Sequence, residues 1–400
     1  MTEQRYVEVS RETKASPDEV FRALTHPLDL SLWFCHTAWT DPQSGGEFQV
    51  RWRNGWWARG VYEMVERPRR VAYSWQGKDE PGETDVVIEI TATGEGTSVK
   101  LTHSGFGDDA LWDKAVFEAE SSWLPALENL DSVLTTGVDL REANRPVLGV
   151  LPAPLTPERA ASENITTSRG IYLSTVLPDG AAAAAGLKSG DVITHIGGMA
   201  VTDEASLTTT LGAYRAGHRV QVGYVRGTRS GIVGVDLKVR PTEDVPPSPE
   251  QAVTRARAVR GDFIAELRVL VSGMTAEQAK RKATRHAWSV NETLAHLSVS
   301  ERFFQRWCAD IIVGNTRGQV GANPAATPEL LATALGANPT PEALVDRLER
   351  EMEETHALYA ALRPEVVAMK ARYRLLVIAL LSDLHLREHI EQIRAAAAAD

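Results

Sequence analysis

Gly186-Leu187-Lys188-Ser189-Gly190-Asp191-Val192-Ile193 decides how this chain divides. It follows the alanine run Ala181 to Ala185, and its two glycines stand where a chain leaving a short helix must reverse before entering a buried strand. Upstream, Pro146-Val147-Leu148-Gly149-Val150 is a short apolar run whose glycine lets a second backbone come close. The two stretches mark a compact β-rich module over residues 141–245, flanked by sequence of different texture. Arg240-Pro241 through Val245-Pro246-Pro247-Ser248-Pro249 then reads as a stiff, extended linker, because closely spaced prolines fix φ and forbid helix.

The chain has 400 residues of ordinary globular composition, which suggests two to four domains, each with its own core. No apolar run approaches the roughly 20 residues that a membrane-spanning helix needs. The start, Met1-Thr2-Glu3-Gln4-Arg5, lacks an apolar signal segment, so a cytoplasmic protein without a membrane partner is expected. The two cysteines, Cys35 and Cys308, fall in different domains and exclude a disulfide framework or a cysteine zinc site. The net charge is −10, and all of the acidic excess precedes Arg141. That balance argues against a nucleic-acid partner.

Residues 1–140 read as α+β. Tyr6 to Thr13 alternates like a strand, and Ser16-Pro17-Asp18-Glu19 combines an N-cap, a first-turn proline and two acids favoured by the helix dipole, opening a helix through Leu24. From Gly46 the period becomes two, with Phe48, Val50 and Trp52 on one face, and further strands run to about Thr102. Asp108 to Leu134 then carries Val116, Ala119, Trp123, Leu127, Leu130 and Leu134 at helical spacing, with Pro125 inside, which predicts one long kinked helix gripping a curved antiparallel sheet. Val20 to Leu24 with Leu32-Trp33-Phe34, Gly60 to Val71 and Gly96 to Phe106 resemble the SRPBCC (START-like) superfamily, in its branch related to the activator of heat-shock-protein ATPase. The resemblance implies an apolar cavity for a hydrophobic small molecule. Eight of the ten tryptophans fall here; Trp52, Trp75 and Trp123 are candidates to line that cavity, the alternative being that they fill the core.

The central module resembles a PDZ domain, in the permuted form found in high-temperature-requirement serine proteases, through Pro146 to Val150, Gly170 to Gly180 and Asp191 to Val201. The resemblance implies that the backbone N–H groups of Leu148, Gly149 and Val150 receive a peptide or protein C-terminus. A helix near Ala205 to Leu211 would offer Leu207 and Leu211 as the opposite wall. The alternative is a spacer or internal docking surface. Serine protease activity is excluded: no Gly-x-Ser-x-Gly occurs, and Ser44-Gly45-Gly46 reads as a turn without a plausible His and Asp beside it.

Residues 246–400 read as an all-α four-helix bundle, with helices near 250–272, 290–313, 341–361 and 365–397 and one long connection from Gly314 to Thr340. Ser289-Val290-Asn291-Glu292 is a capping box that sets His296 two turns into the second helix. Leu375, Ile378, Ser382, His385 and His389 recur at spacings of three and four, which places both histidines on the interior stripe of the fourth. Imidazoles at i and i+4 can share a metal ion, with His296 as a third ligand and one coordination position left open; the alternative is hydrogen-bonded core or surface histidines. Trp288 to Leu297 together with His385 to Ile393 resembles the DinB-like family. That resemblance implies a three-histidine divalent-metal site, zinc or nickel, and in some members transfer of a low-molecular-weight thiol. His385 to His389 also fits His-x-x-Glu-His, the inverted zinc-protease motif, but only eleven residues follow, five of them alanine, too few for the further ligand it needs. Glu388 is then expected at the surface or behind the ligands, and His356 at the surface. His26, His36, His103, His195, His218 and His286 lack partners at usable spacing.

Two functions follow from these expectations. One is a stress or detoxification enzyme that binds an apolar compound and uses its metal to activate a thiol or water against an electrophile. The other is a non-enzymatic, chaperone-associated adaptor that binds a peptide C-terminus.

Overall fold

The computed structural model describes residues 5–240, 243–284, 287–315, 327–338 and 340–398. His286, Pro241 and, within the 314–340 connection, residues 316–326 and 339 lie outside the described residues. The chain forms two compact units, one of Met1–Trp52, Trp56–Val138 and Glu243–Asp400, the other of Arg53–Gly55 and Asp139–Thr242.

The first unit opens with β1 (Arg5–Thr13), α1 (Pro17–Thr25) and α2 (Pro27–Trp33). There follow β2 (Thr37–Thr40), β3 (Glu47–Arg51), β4 (Trp57–Glu66), β5 (Arg70–Gly77), β6 (Thr84–Thr93), β7 (Gly96–Phe106) and α3 (Asp113–Thr136). The seven strands are antiparallel in the order β1-β7-β6-β5-β4-β3-β2. Ser16 caps α1, as its sequence predicts, and does so through a reciprocal box with Glu19. Helix α2 was not anticipated, although His26-Pro27 offers a first-turn proline. Pro125 lies inside a single α3, whose buried stripe is Ala115, Ala119, Trp123, Leu127, Leu130 and Val133. That stripe meets Val86, Ile88 and Ile90 of β6 and Val99 and Leu101 of β7 in one core.

The same unit holds the helical region: α8 (Pro249–Val271), α9 (Val290–Val313), α10 (Pro328–Ala337), α11 (Pro341–Ala360), α12 (Pro364–Ala368), α13 (Lys370–Leu381) and α14 (Leu384–Ala397). Two expectations are corrected here. The long connection contains α10, whose Leu331 and Ala334 are buried; Thr327-Pro328-Glu329 was its start signal. The helix expected over 365–397 is three helices. Ser382 turns extended (φ −69°, ψ 123°) after its N–H bonds to Ile378 O, and α14 restarts from Asp383, whose carboxylate pairs with Arg387 at 2.6 Å. Ser and Asp bond readily to nearby backbone and side chains outside a helix, so a break forms there without Gly or Pro.

The bundle core divides into two apolar clusters, one including Phe263, Leu294, Met352 and Ile393, the other Ala256, Cys308, Tyr359 and Leu376. On each helix the change from one cluster to the other falls at a buried polar group or at the break. Arg260 marks it on α8, Glu301 on α9 and Thr355 with His356 on α11, and Ser382-Asp383 separates α13 from α14. Arg260 Nη1 donates to Glu301 Oε1 at 2.7 Å, and the Thr355 hydroxyl donates to the same oxygen. His356, expected at the surface, is 2% exposed. Its position next to Thr355 turns it inward, and only Nδ1 finds a partner, Glu353 Oε1 at 3.0 Å.

The grip fold and the bundle pack against each other. Leu28 of α2 belongs to the bundle cluster that contains Tyr373 and Leu376, and Arg372 of α13 binds Asp29.

The second unit contains α4 (Leu140–Ala143), β8 (Pro146–Val147), β9 (Val150–Pro154), α5 (Pro157–Ser162), β10 (Ile171–Val176) and α6 (Ala181–Ala184). It continues with β11 (Asp191–Ile196), β12 (Met199–Ala200), α7 (Glu204–Gly212), β13 (Arg219–Arg226), β14 (Arg229–Asp236) and β15 (Lys238–Val239). Its main sheet runs β14-β13-β11-β10-β9, and β15 pairs with β8. Gly149 has φ +75°, and a Cβ there would lie 2.5 Å from Gly180 Cα, so this close approach requires glycine.

Candidate metal centre

Ser289 caps α9 through the predicted box: its backbone N–H donates to Glu292 Oε2 at 2.8 Å, and Glu292 N–H donates to Ser289 Oγ at 3.2 Å. This fixes the first turn and sets His296 two turns along, buried against α14. The break before α14 places His385 in that helix's first turn and His389 one turn later. One potential ligand atom from each of His296, His385 and His389 lies within 4.8 Å of the other two. The ring centroids are 4.4 Å apart for His385 and His389, 4.7 Å for His296 and His389, and 5.4 Å for His296 and His385. Three nitrogens about 2.1 Å from one tetrahedral ion stand roughly 3.4 Å apart, so small rotamer shifts close the ring of donors.

His296 and His389 are buried, whereas His385 is exposed. The expected single stripe does not form: the buried face of α13 is Tyr373, Leu376, Val377 and Leu380, with Leu375 and Ile378 only partly buried, and after the break α14 buries Leu386, His389, Ile390 and Ile393, which leaves His385 outside. Packing lowers the pKa of His385, helped by the neighbouring His389. Burial also lowers that of His389, against the opposing effects of Gln392 and Glu388. Both rings are therefore neutral at pH 7 and keep a lone pair for a metal. Trp288 walls the cluster, parallel to His389 at 6.3 Å and 14° and 4.7 Å from His296. Gln392 Oε1 lies 2.9 Å from His389 Nδ1, and Ser300 Oγ lies 3.4 Å from His296 Nε2. Sequence reading passed over Trp288 and Gln392 as site residues, though both stand in the quoted motif. Three neutral nitrogen donors with one side open suit a divalent ion that keeps an exchangeable position.

In the central unit, Leu148 and Leu207 are buried, while Leu211 and Val150 pack partly exposed against the core. The carbonyls of Leu148 and Gly149 accept from Ala182 and Leu177 at 2.7 and 2.9 Å. Among the described residues, the N–H groups of Leu148 and Gly149 donate no hydrogen bond. β9 is an end strand, paired only with β10, and α7 lies beside it.

Trp75 and Trp123 are buried, their rings 5.6 Å apart, and Phe34 stacks on Trp123 at 5.7 Å and meets the half-buried Trp52 edge-on at 5.2 Å. The indole N–H groups of the two buried rings are taken, that of Trp75 by Glu80 Oε1 at 3.4 Å. Trp123 Nε1–H donates to His103 Nδ1 at 3.0 Å, which leaves the proton on His103 Nε2, 2.7 Å from Thr84 Oγ1. Thr84 in turn donates to Trp75 O at 3.0 Å, and burial pushes His103 down to about 3.

Three family models match the chain. A model described as activator of Hsp90 ATPase homolog 1-like protein matches residues 14–135, one for the PDZ domain matches 137–237, and one for the DinB superfamily matches 263–393. The chain carries an Hsp90-activator-like domain, a PDZ domain and a DinB-type domain, in that order. The PDZ region is similar to part of the periplasmic serine endoprotease DegP of Escherichia coli K12, 31% identical over 112 residues, which is 28% of this chain and 23% of that protein. The chain thus spans about a quarter of the length of the curated relatives it matches. Protein MLL2253 from Mesorhizobium loti is 25% identical at TM-score 0.30, over 32% of this chain and 96% of its own. The Aha1 dimer from Colwellia psychrerythraea is 19% identical at TM-score 0.30, over 32% and 96%. Among the described residues, no helix is long and apolar enough to cross a membrane.

Proposed function

We propose that this chain is a cytoplasmic stress or detoxification protein in which residues 1–140 hold an apolar compound, residues 141–245 dock a peptide C-terminus, and residues 246–400 carry metal-dependent chemistry. The observation that supports an enzyme is the convergence of His296, His385 and His389 within 4.8 Å, with one edge of the cluster open at the exposed His385. Zinc or nickel suits neutral imidazole donors. An ion held by His296, His385 and His389 would lower the pKa of a thiol or water toward neutrality and so would supply a nucleophile for an electrophilic acceptor. The chain's own part is to hold three rings in one geometry, to exclude water on the Trp288 side and to leave access past His385. A low-molecular-weight thiol is the favoured nucleophile: its sulfur would form the new bond to the acceptor, the leaving group would depart with its electron pair, and the thiol proton would pass to solvent. In the first domain, Trp52, partly buried against the core that holds Trp75 and Trp123, is the ring best placed to meet an apolar ligand.

The test is elemental analysis of the purified protein, followed by a panel of small thiols with an electrophilic acceptor. Metal-dependent thiol consumption supports transfer; a metal-free protein without turnover opposes it. A second reading, a non-enzymatic adaptor, draws on the open edge of β9 and the two undonated N–H groups at Leu148 and Gly149. Binding of free C-terminal peptides, lost on amidation, would support it.

A further inference from the structure

We infer that Gln392 is a positioning residue for the three-histidine cluster: its side-chain carbonyl fixes His389 in the tautomer that presents a bare Nε2 to the ion. The inference rests on the metal reading of that cluster and names a residue outside the ligand set.

A neutral imidazole has one N–H and one lone pair, so whatever binds one nitrogen decides what the other offers. Gln392 follows His389 by three residues on α14 and therefore shares its face. Its Oε1, an acceptor, stands 2.9 Å from Nδ1. Nδ1 must then carry the proton, and Nε2 holds the lone pair. The opposite amide orientation would present Gln392 N–H to Nδ1, force the proton onto Nε2 and close that atom to metal. The choice matters more for His389 than for the exposed His385, because the His389 side chain is buried while Gln392 reaches its Nδ1 from the exposed side of α14. Trp288, parallel to the same ring, restricts its tilt, so ring plane and proton position are set by two different neighbours. A hydrogen-bond partner behind a ligating histidine typically changes metal affinity 10- to 100-fold, on the order of what is expected here.

The test uses the full chain with metal removed. Nitrogen-15 NMR of the imidazoles reads the tautomer without any ion, and competition with a chromophoric chelator reads zinc affinity. Wild type should show His389 protonated at Nδ1 alone. Gln392→Leu should give a mixture of tautomers and weaken zinc roughly 10- to 100-fold. Gln392→Glu, which keeps an acceptor, should bind at least as tightly as wild type. Retained thermal stability of the metal-free Gln392→Leu protein separates this effect from unfolding. Gln392→Leu with an unchanged tautomer and zinc affinity within twofold of wild type overturns the inference. A locked tautomer in a wild-type protein that takes up no zinc supports the lock while overturning the metal reading, so the two failures are distinguishable.

Discussion

Arg372 holds both carboxylate oxygens of Asp29 at 2.7 Å, although 343 residues separate them. Asp29 also receives Arg22 Nε at 3.2 Å, and His26 lies beside the pair with its pKa lowered mainly by burial. One buried carboxylate therefore offsets two guanidinium groups where α2 meets α13. Removing it leaves Arg372 buried without a counter-charge, which costs about 3–5 kcal/mol for pairs of this kind. Asp29→Ala should separate the unfolding of the Hsp90-activator-like domain from that of the DinB-type bundle, read as two calorimetric transitions where wild type gives one for these parts. An unchanged melting profile would mean that the contact does not couple them.

His103 gives the first domain an acid-sensitive core. Its folded pKa of about 3 lies below the ordinary 6.5, so the unfolded chain binds the proton first as pH falls. The stabilisation is full above pH 6.5 and is lost progressively toward pH 3, by a few kcal/mol in all, an order-of-magnitude figure. Urea unfolding of wild type and His103→Gln across that window should diverge, with the wild type losing more stability as acid is added. Parallel curves would show that His103 does not titrate as its surroundings imply.

The polar layer of the bundle predicts opposite outcomes for two neighbours. His356 Nε2 is buried without a protein partner, and Glu353 retains Arg257 if the ring is lost. His356→Phe should therefore change stability by less than about 1 kcal/mol. Arg260→Ala strands Glu301 in the core and should cost about 3 kcal/mol or more. Equal effects in chemical denaturation would contradict this account of the layer.

Much of this architecture is legible because its signals are local. Ser16 with Glu19 and Ser289 with Glu292 are reciprocal caps whose partners lie three residues apart, and the antiparallel strands show their period directly. What sequence reading missed depends on context. Ser382-Asp383 breaks a helix without Gly or Pro, and because the apolar pattern runs across it, His385 was assigned to the interior although it stands exposed at the open side of the cluster. His356 was assigned to the surface from the acidic run Glu353-Glu354, yet the helix turns it toward Arg260. Gln392 has a local signal, three residues from a candidate ligand, but its meaning requires knowing which imidazole nitrogen it meets. The Asp29–Arg372 pair has no local signal at all.

The most direct measurement is zinc titration of the metal-free 400-residue chain by calorimetry, with His296→Ala, His385→Ala and His389→Ala alongside. One ion should bind per chain, each substitution should weaken it by on the order of 100-fold or more, and helical circular dichroism should persist on chelation, as for a site that contributes little to folding. Absence of stoichiometric binding, or a His385→Ala protein that binds zinc as tightly as wild type, would contradict a three-histidine centre.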